Sequence, residues 1–215
     1  MPIPSWPAAL LPSSYQLHPA ANTQSGGRSP FDGSEQTLEQ PGMKWVAKLT
    51  FDNLTLAEGR LMAAWLAGLR GRAGRFYWGP PAWGPRGTAG TDGGAVVLNG
   101  AGQTGTLVAF RGWPASRTQV LYPGDYVTWL DPAGRPQLHI VTSDANGDMV
   151  PVQTSAGGQN QCNVSPPIRR SPNNGAGTNF TSPFGLFRLS RDVNPQDFTA
   201  GMMASATIEI EEALF

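Results

Sequence analysis

Charge, sulfur and imidazole are all scarce in this chain of 215 residues, and each scarcity removes a class of function. Asp, Glu, Lys and Arg make up 14% of the residues, against roughly 25% in an average soluble domain. The 15 basic side chains are balanced by 15 acidic ones, so neither a phosphate-neutralising face nor sequence-specific nucleic-acid binding is expected. A single cysteine, Cys162, excludes a disulfide within the chain and any multi-cysteine metal site. His18 and His139 are the only histidines, and the carboxylates show no ligand-like spacing around them, so no metal or cofactor is expected. No apolar run approaches the ~18 residues of a membrane span. The opening, with Pro2, Pro4, Pro7 and Pro12, has no basic n-region and does not read as a secretory leader.

Glycine and proline are abundant instead, at 27 and 20 residues, alongside 7 Trp and 9 Phe. That mixture describes packed short strands joined by many turns. The cations are arginines except for Lys44 and Lys48. Guanidinium forks suit planar contacts at interfaces, although GC-rich coding explains the same bias.

Residues 1–42 lack sustained periodicity and read as an irregular N-terminal arm, ordered mainly on a neighbouring subunit. Met43, Trp45, Ala47, Leu49 and Phe51 alternate with Lys44, Val46, Lys48 and Thr50 as in a half-buried strand. Thr55-Leu56-Ala57-Glu58 has capping-box form and opens a helix to Arg70. Its stripe of Leu61, Met62, Trp65, Leu66 and Leu69 is expected to dock on the sheet containing Trp45. Arg70 and Arg72 would complement the helix dipole, with Gly71 or Gly74 as the left-handed cap, before a strand at Arg75–Trp78.

Beyond a Gly/Trp/Pro loop at 82–94, short strands are expected at Ala95–Leu98, Tyr126–Leu130, Gln137–Thr142 and Met149–Thr154. Tight turns between them suggest a small curled β-barrel. Residues 166–183 read as a linker, after which Phe184–Leu189 and Ala204–Ile210 would rejoin the first sheet. The expected fold is thus mainly β with one helix. A strand-helix-strand sandwich or half-barrel (43–84 and 179–215) carries a small inserted β-barrel (85–178).

Reactive chemistry competes poorly with bland roles. Gly100-Ala101-Gly102-Gln103-Thr104-Gly105 fits a dinucleotide fingerprint, but strand-like residues follow where a helix must open, so a hairpin loop is expected. No Gly-x-Ser-x-Gly elbow accompanies either histidine; His139 is read as an outward strand residue and Cys162 as a half-buried loop residue. Asp125, Asp131, Asp144 and Asp148 sit in Pro-Gly-Asp, Asp-Pro and Asn-Gly contexts that serve turns. No catalytic residues are assigned. Trp83, Trp113 and Trp129 keep open a glycan-binding β-module.

Several segments resemble one family. Ser29-Pro30-Phe31-Asp32-Gly33-Ser34-Glu35-Gln36, Pro41-Gly42-Met43-Lys44-Trp45, the helix end from Leu66 to Phe76, Val97 to Gly105 and Leu121 to Val127 are similar to distal tail proteins of tailed bacteriophages and prophages. The resemblance implies a structural virion protein, not an enzyme. Its tail-tube-like domain would pair edge to edge in a homo-oligomeric ring, favoured as a hexamer, between the tail tube and the tip or baseplate. The partners implied are the tube protein and tip or hub proteins, and the site would be the viral tail's distal end, after synthesis in the host cytoplasm. Candidate intersubunit residues are Arg70, Arg72, Arg75, Lys44 and Lys48. The alternative is a carbohydrate- or receptor-binding module of the tail tip. Unlike better-studied members, this chain inserts its second module instead of appending it.

Overall fold

The computed structural model describes residues 3–40, 42–81, 84–88, 96–192, 196–199 and 203–214. Among these residues, fourteen strands and one α-helix are arranged in chain order. They are β1 (Ser14–Ala20), β2 (Thr23–Arg28), β3 (Glu35–Glu39), β4 (Lys44–Leu54), α1 (Leu56–Leu69), β5 (Phe76–Trp78), β6 (Val97–Leu98), β7 (Gly105–Arg111), β8 (Tyr126–Leu130), β9 (Pro136–Asp144), β10 (Gln159–Ile168), β11 (Thr178–Asn179), β12 (Gly185–Leu189), β13 (Gln196–Thr199) and β14 (Met203–Glu212). The fold is mainly β with one helix and a small barrel.

The first sheet runs β1-β4-β14-β12-β5, with β13 paired to one end of β14. Strand β4 supplies its spine because Trp45, Ala47, Leu49, Phe51 and Leu54 all face inward and are buried. Each of the larger side chains contributes about 1.5–3 kcal/mol by leaving water. The sheet is curled into a half-barrel: Tyr15 on one edge strand meets Trp78 on the other, with ring centroids 6.1 Å apart. Helix α1 packs on β14 and β4.

The helix begins as its capping box dictates. The Thr55 hydroxyl accepts from Glu58 N–H at 3.3 Å, while the Glu58 carboxylate accepts from Thr55 N–H at 2.8 Å. The Thr55 hydroxyl also donates to Glu58 Oε2 at 2.7 Å, and this bond, with that from Thr55 N–H, holds the Glu58 carboxyl below its ordinary pKa. Met62 and Leu69 are buried and Trp65 and Leu66 pack on the core, but Leu61 points outward and is 41% exposed. Trp65 does not pair with the Trp45 end of the sheet. It meets Trp6 (4.7 Å) and Phe76 (4.9 Å) edge-on, while Trp45 lies at the opposite end of β4. The left-handed cap is Arg70 itself (φ 55°, ψ 49°), with Gly71 following at φ 68°.

The first half of the expected irregular arm is instead built into this sheet. Leu10 is fully buried, Trp6 donates to Leu10 O and stacks on Phe51, and β1 pairs along its whole length with β4. Only β2 and β3 leave this sheet, as a two-stranded hairpin of their own.

The second sheet, β11-β8-β9-β10-β7-β6, closes into a barrel through a bridge between Val97 and Gly177. Leu98 N–H donates to Ala176 O at 3.0 Å, and Thr178 N–H to Val96 O at 3.3 Å. The glycine-rich stretch 100–105 is the β6–β7 hairpin loop, with Gly100, Gly102 and Gly105 at positive φ. Met149–Thr154 is not a strand; it makes one bridge, at Val152, and Met149 is exposed. The third central strand is β10, which neighbours β9 and β7 and shifts register after Asn163. The expected linker at 166–183 holds the end of β10 and all of β11.

The outer wall of β8 and β9 closes one mouth of the half-barrel. Trp45 Nε1 donates to Leu138 O at 2.7 Å and its ring lies 5.8 Å from that of Tyr126. Thr128 Oγ1 and the Phe184 backbone exchange bonds of 2.7 and 2.8 Å beside this contact. Among the described residues no helix is long and apolar enough to cross a membrane.

Candidate functional site

The five cations singled out in the sequence occupy two places. Lys44 and Lys48 share the convex face of β4, since the inward set is Trp45, Ala47 and Leu49. Arg70, Arg72 and Arg75 follow one another through the helix end, a 3-10 turn (Gly71–Ala73) and the approach to β5. The structure unites two of them on an acid that sequence reasoning missed. Glu211 of β14 accepts from Lys44 Nζ at 2.5 Å, from Arg188 Nε at 2.8 Å and from Arg72 Nη2 at 3.4 Å. Burial raises the Glu211 pKa, but hydrogen bonds and charge from Lys44 and Arg188 outweigh it, so the net shift is downward. Lys44 and Arg72 therefore stabilise the chain's own sheet. Arg72 is doubly anchored, because its N–H donates to Asp192 Oδ1 at 3.0 Å. Lys48 is exposed and stands between Gln16 and Glu209 across the strands, and Arg70 and Arg75 are exposed.

Neither histidine nor the cysteine forms a reacting group with neighbours. His139 is fully buried inside the barrel, opposite to the expected outward placement. Its ring stacks on Trp129 at 4.2 Å and its Nδ1–H donates to Pro166 O at 2.7 Å. Burial, which the Pro166 bond only partly offsets, pushes its pKa down to about 3, so the imidazole is neutral. Cys162 is a fully buried residue of β10, not a loop residue, and burial pushes its thiol up to about 12. His18 lies exposed on β1.

The aspartates organise turns: Asp131 accepts from Ala133 and Arg135 N–H, and Asp144 from Asn146 and Asp148 N–H. Trp113 and Trp129, needed at the surface by a glycan-binding face, are buried at 5% and 1% exposure in the barrel core. Trp83 lies outside the described residues, as does most of 82–94.

What remains as a working surface is geometric. The hairpin β2–β3 is exposed at every residue of both strands, and at its tip Phe31 is 97% exposed. The tip is nevertheless ordered by its own bonds. Ser29 N–H donates to Ser34 O at 2.8 Å, and the Asp32 carboxylate accepts from Ser34 N–H and Oγ–H. Hydrogen bonds from the Ser29 and Ser34 hydroxyls, aided by Ser34 N–H, lower the Asp32 pKa to about 2. Among the described residues, strand β1 is the first strand of its sheet and pairs there with β4 alone. Its other edge is a row of backbone groups of the kind that takes up another chain. No protein-family model matches the sequence, and no curated protein matches it significantly.

Proposed function

We propose that this chain is a structural subunit of a phage tail, forming a ring at the tail's distal end that joins tube to tip and leaves a channel for DNA. The observation that carries the assembly reading is the β2–β3 hairpin, exposed over its whole length. A two-stranded hairpin without a covering layer is marginal in water, so its burial against another copy is the economical state. The open edge of β1 offers a second contact of the same kind. The resemblance at Ser29–Gln36, which is the tip of this hairpin, supplies the phage context. Native mass measurement of the full chain tests the reading: a closed oligomer of fixed stoichiometry is expected, favoured as six copies. A strict monomer, alone and mixed with tail-tube protein, refutes it.

A carbohydrate-binding role of the same particle is favoured by a different feature. An open groove of about 590 Å³ on the barrel is lined by the amides of Asn99, Asn146, Gln153, Gln159 and Gln161. Binding of host surface polysaccharide by the isolated protein, lost on Gln161→Ala, would select that reading.

A further inference from the structure

The hairpin's counterpart lies on the opposite edge of the sheet. Two adjoining hollows of about 500 and 400 Å³ flank β5 and share Tyr77 and Phe184, whose rings meet edge to face at 5.6 Å. Leu11, Pro80 and Pro183 line one hollow and Leu130 the other; Leu11 is 67% and Leu130 46% exposed. Among the described residues, no Asp, Glu, Lys or Arg side chain lines either hollow. A contiguous apolar recess of this kind on a surface marks an interaction site.

We infer that the Pro30–Phe31 tip of one copy seats in the Tyr77–Phe184 recess of the next. The inference rests on the assembly reading and names its contact. Phe31 is the most exposed large apolar side chain among those described, and the only charge in its tip, Asp32, is already satisfied by Ser29 and Ser34. The tip enters the recess with its turn preformed, which spares ordering entropy. The hairpin springs from the Ala20 end of β1 and the Lys44 end of β4, whereas the recess lies between β5 and the segment, including Leu11, that leads into the start of β1. Such a contact is heterologous, and it propagates from copy to copy until rotation closes a ring.

The test uses full-length chains carrying Cys162→Ala, with either Pro30→Cys, which keeps the Phe31 anchor, or Leu11→Cys. Under mild oxidation, a mixture of the two is expected to give a covalent dimer that neither gives alone, and a chain with both a ladder of oligomers. Phe31→Ser is expected to weaken assembly about thirtyfold, as loss of an aromatic anchor does. A dimer from Pro30→Cys alone shows tip-to-tip pairing and overturns the inference. So does a closed oligomer in the native mass with no mixed cross-link, a result that leaves the assembly reading standing. A monomer at every concentration overturns both.

Discussion

Acid should destabilise this protein through one side chain. In an unfolded chain the His139 imidazole takes up a proton near pH 6.5. Inside the barrel it stays neutral down to about pH 3, because a charge there would lose its water, with Arg169 adding repulsion. Its Nδ1–H is committed to Pro166 O, and Nε2 is buried without a partner. Between those two pH values the unfolded state binds one more proton than the folded state, so this stability is complete above pH 6.5 and falls as pH falls. The slope is about 1.4 kcal/mol per pH unit, giving a loss of about 2 kcal/mol at pH 5. That is a sizeable share of the ~5–15 kcal/mol that holds an ordinary domain together. Urea unfolding at pH 7.5 and 5.0 measures it, a window in which most carboxylates stay ionised. His139→Gln starts from lower stability, having lost the stack on Trp129, but should lose about 2 kcal/mol less than wild type between the two pH values. His18→Gln, on the exposed face of β1, is the control. Equal acid losses in wild type and His139→Gln would refute the reasoning.

Other substitutions probe the remaining links. Trp65→Ala should cost about 3 kcal/mol, the lower end for a large aromatic because the side chain is only partly buried against Trp6 and Phe76; a wild-type melting curve would remove the helix from the core. Thr55→Ala removes the hydroxyl half of the capping box, leaving the Thr55 N–H to Glu58 bond, and should lower stability by about 1 kcal/mol in thermal melts, with Thr55→Ser restoring most of it. Glu211→Gln leaves Lys44, Arg188 and Arg72 facing one another. Their own partial exposure limits the expected loss to about 1–2 kcal/mol by urea titration. Because Arg72 serves that cluster, Arg72→Glu should fall in stability as well as assembly. Removing 23–39 with a short turn in its place should leave the melting temperature nearly unchanged and abolish oligomers, while removing 3–20 should prevent folding.

Local patterns determined the parts of this fold that depend on near neighbours. The Thr55–Glu58 box, the alternation of β4 and the turn aspartates are each written within a few residues, and each has the same meaning in any surroundings. The same holds for the glycines of 100–105, where strand-like residues on one side decided for a hairpin. Tertiary structure alone decided the rest. Strand β1 was hidden because SYQLHPA is half exposed and carries a proline, and it is a strand only because β4 offers a partner. Strand β10 was hidden by its amides and by Pro166 and Pro167, which its register shift accommodates. The side that His139 faces was undecidable locally: barrel interior covers one face of β9 and the half-barrel sheet the other, so burial does not alternate. Glu211 lies 167 residues from Lys44, and a contact that distant leaves no pattern in either neighbourhood. The hairpin and its recess follow the same logic, since exposure is a property of what the rest of the chain fails to cover.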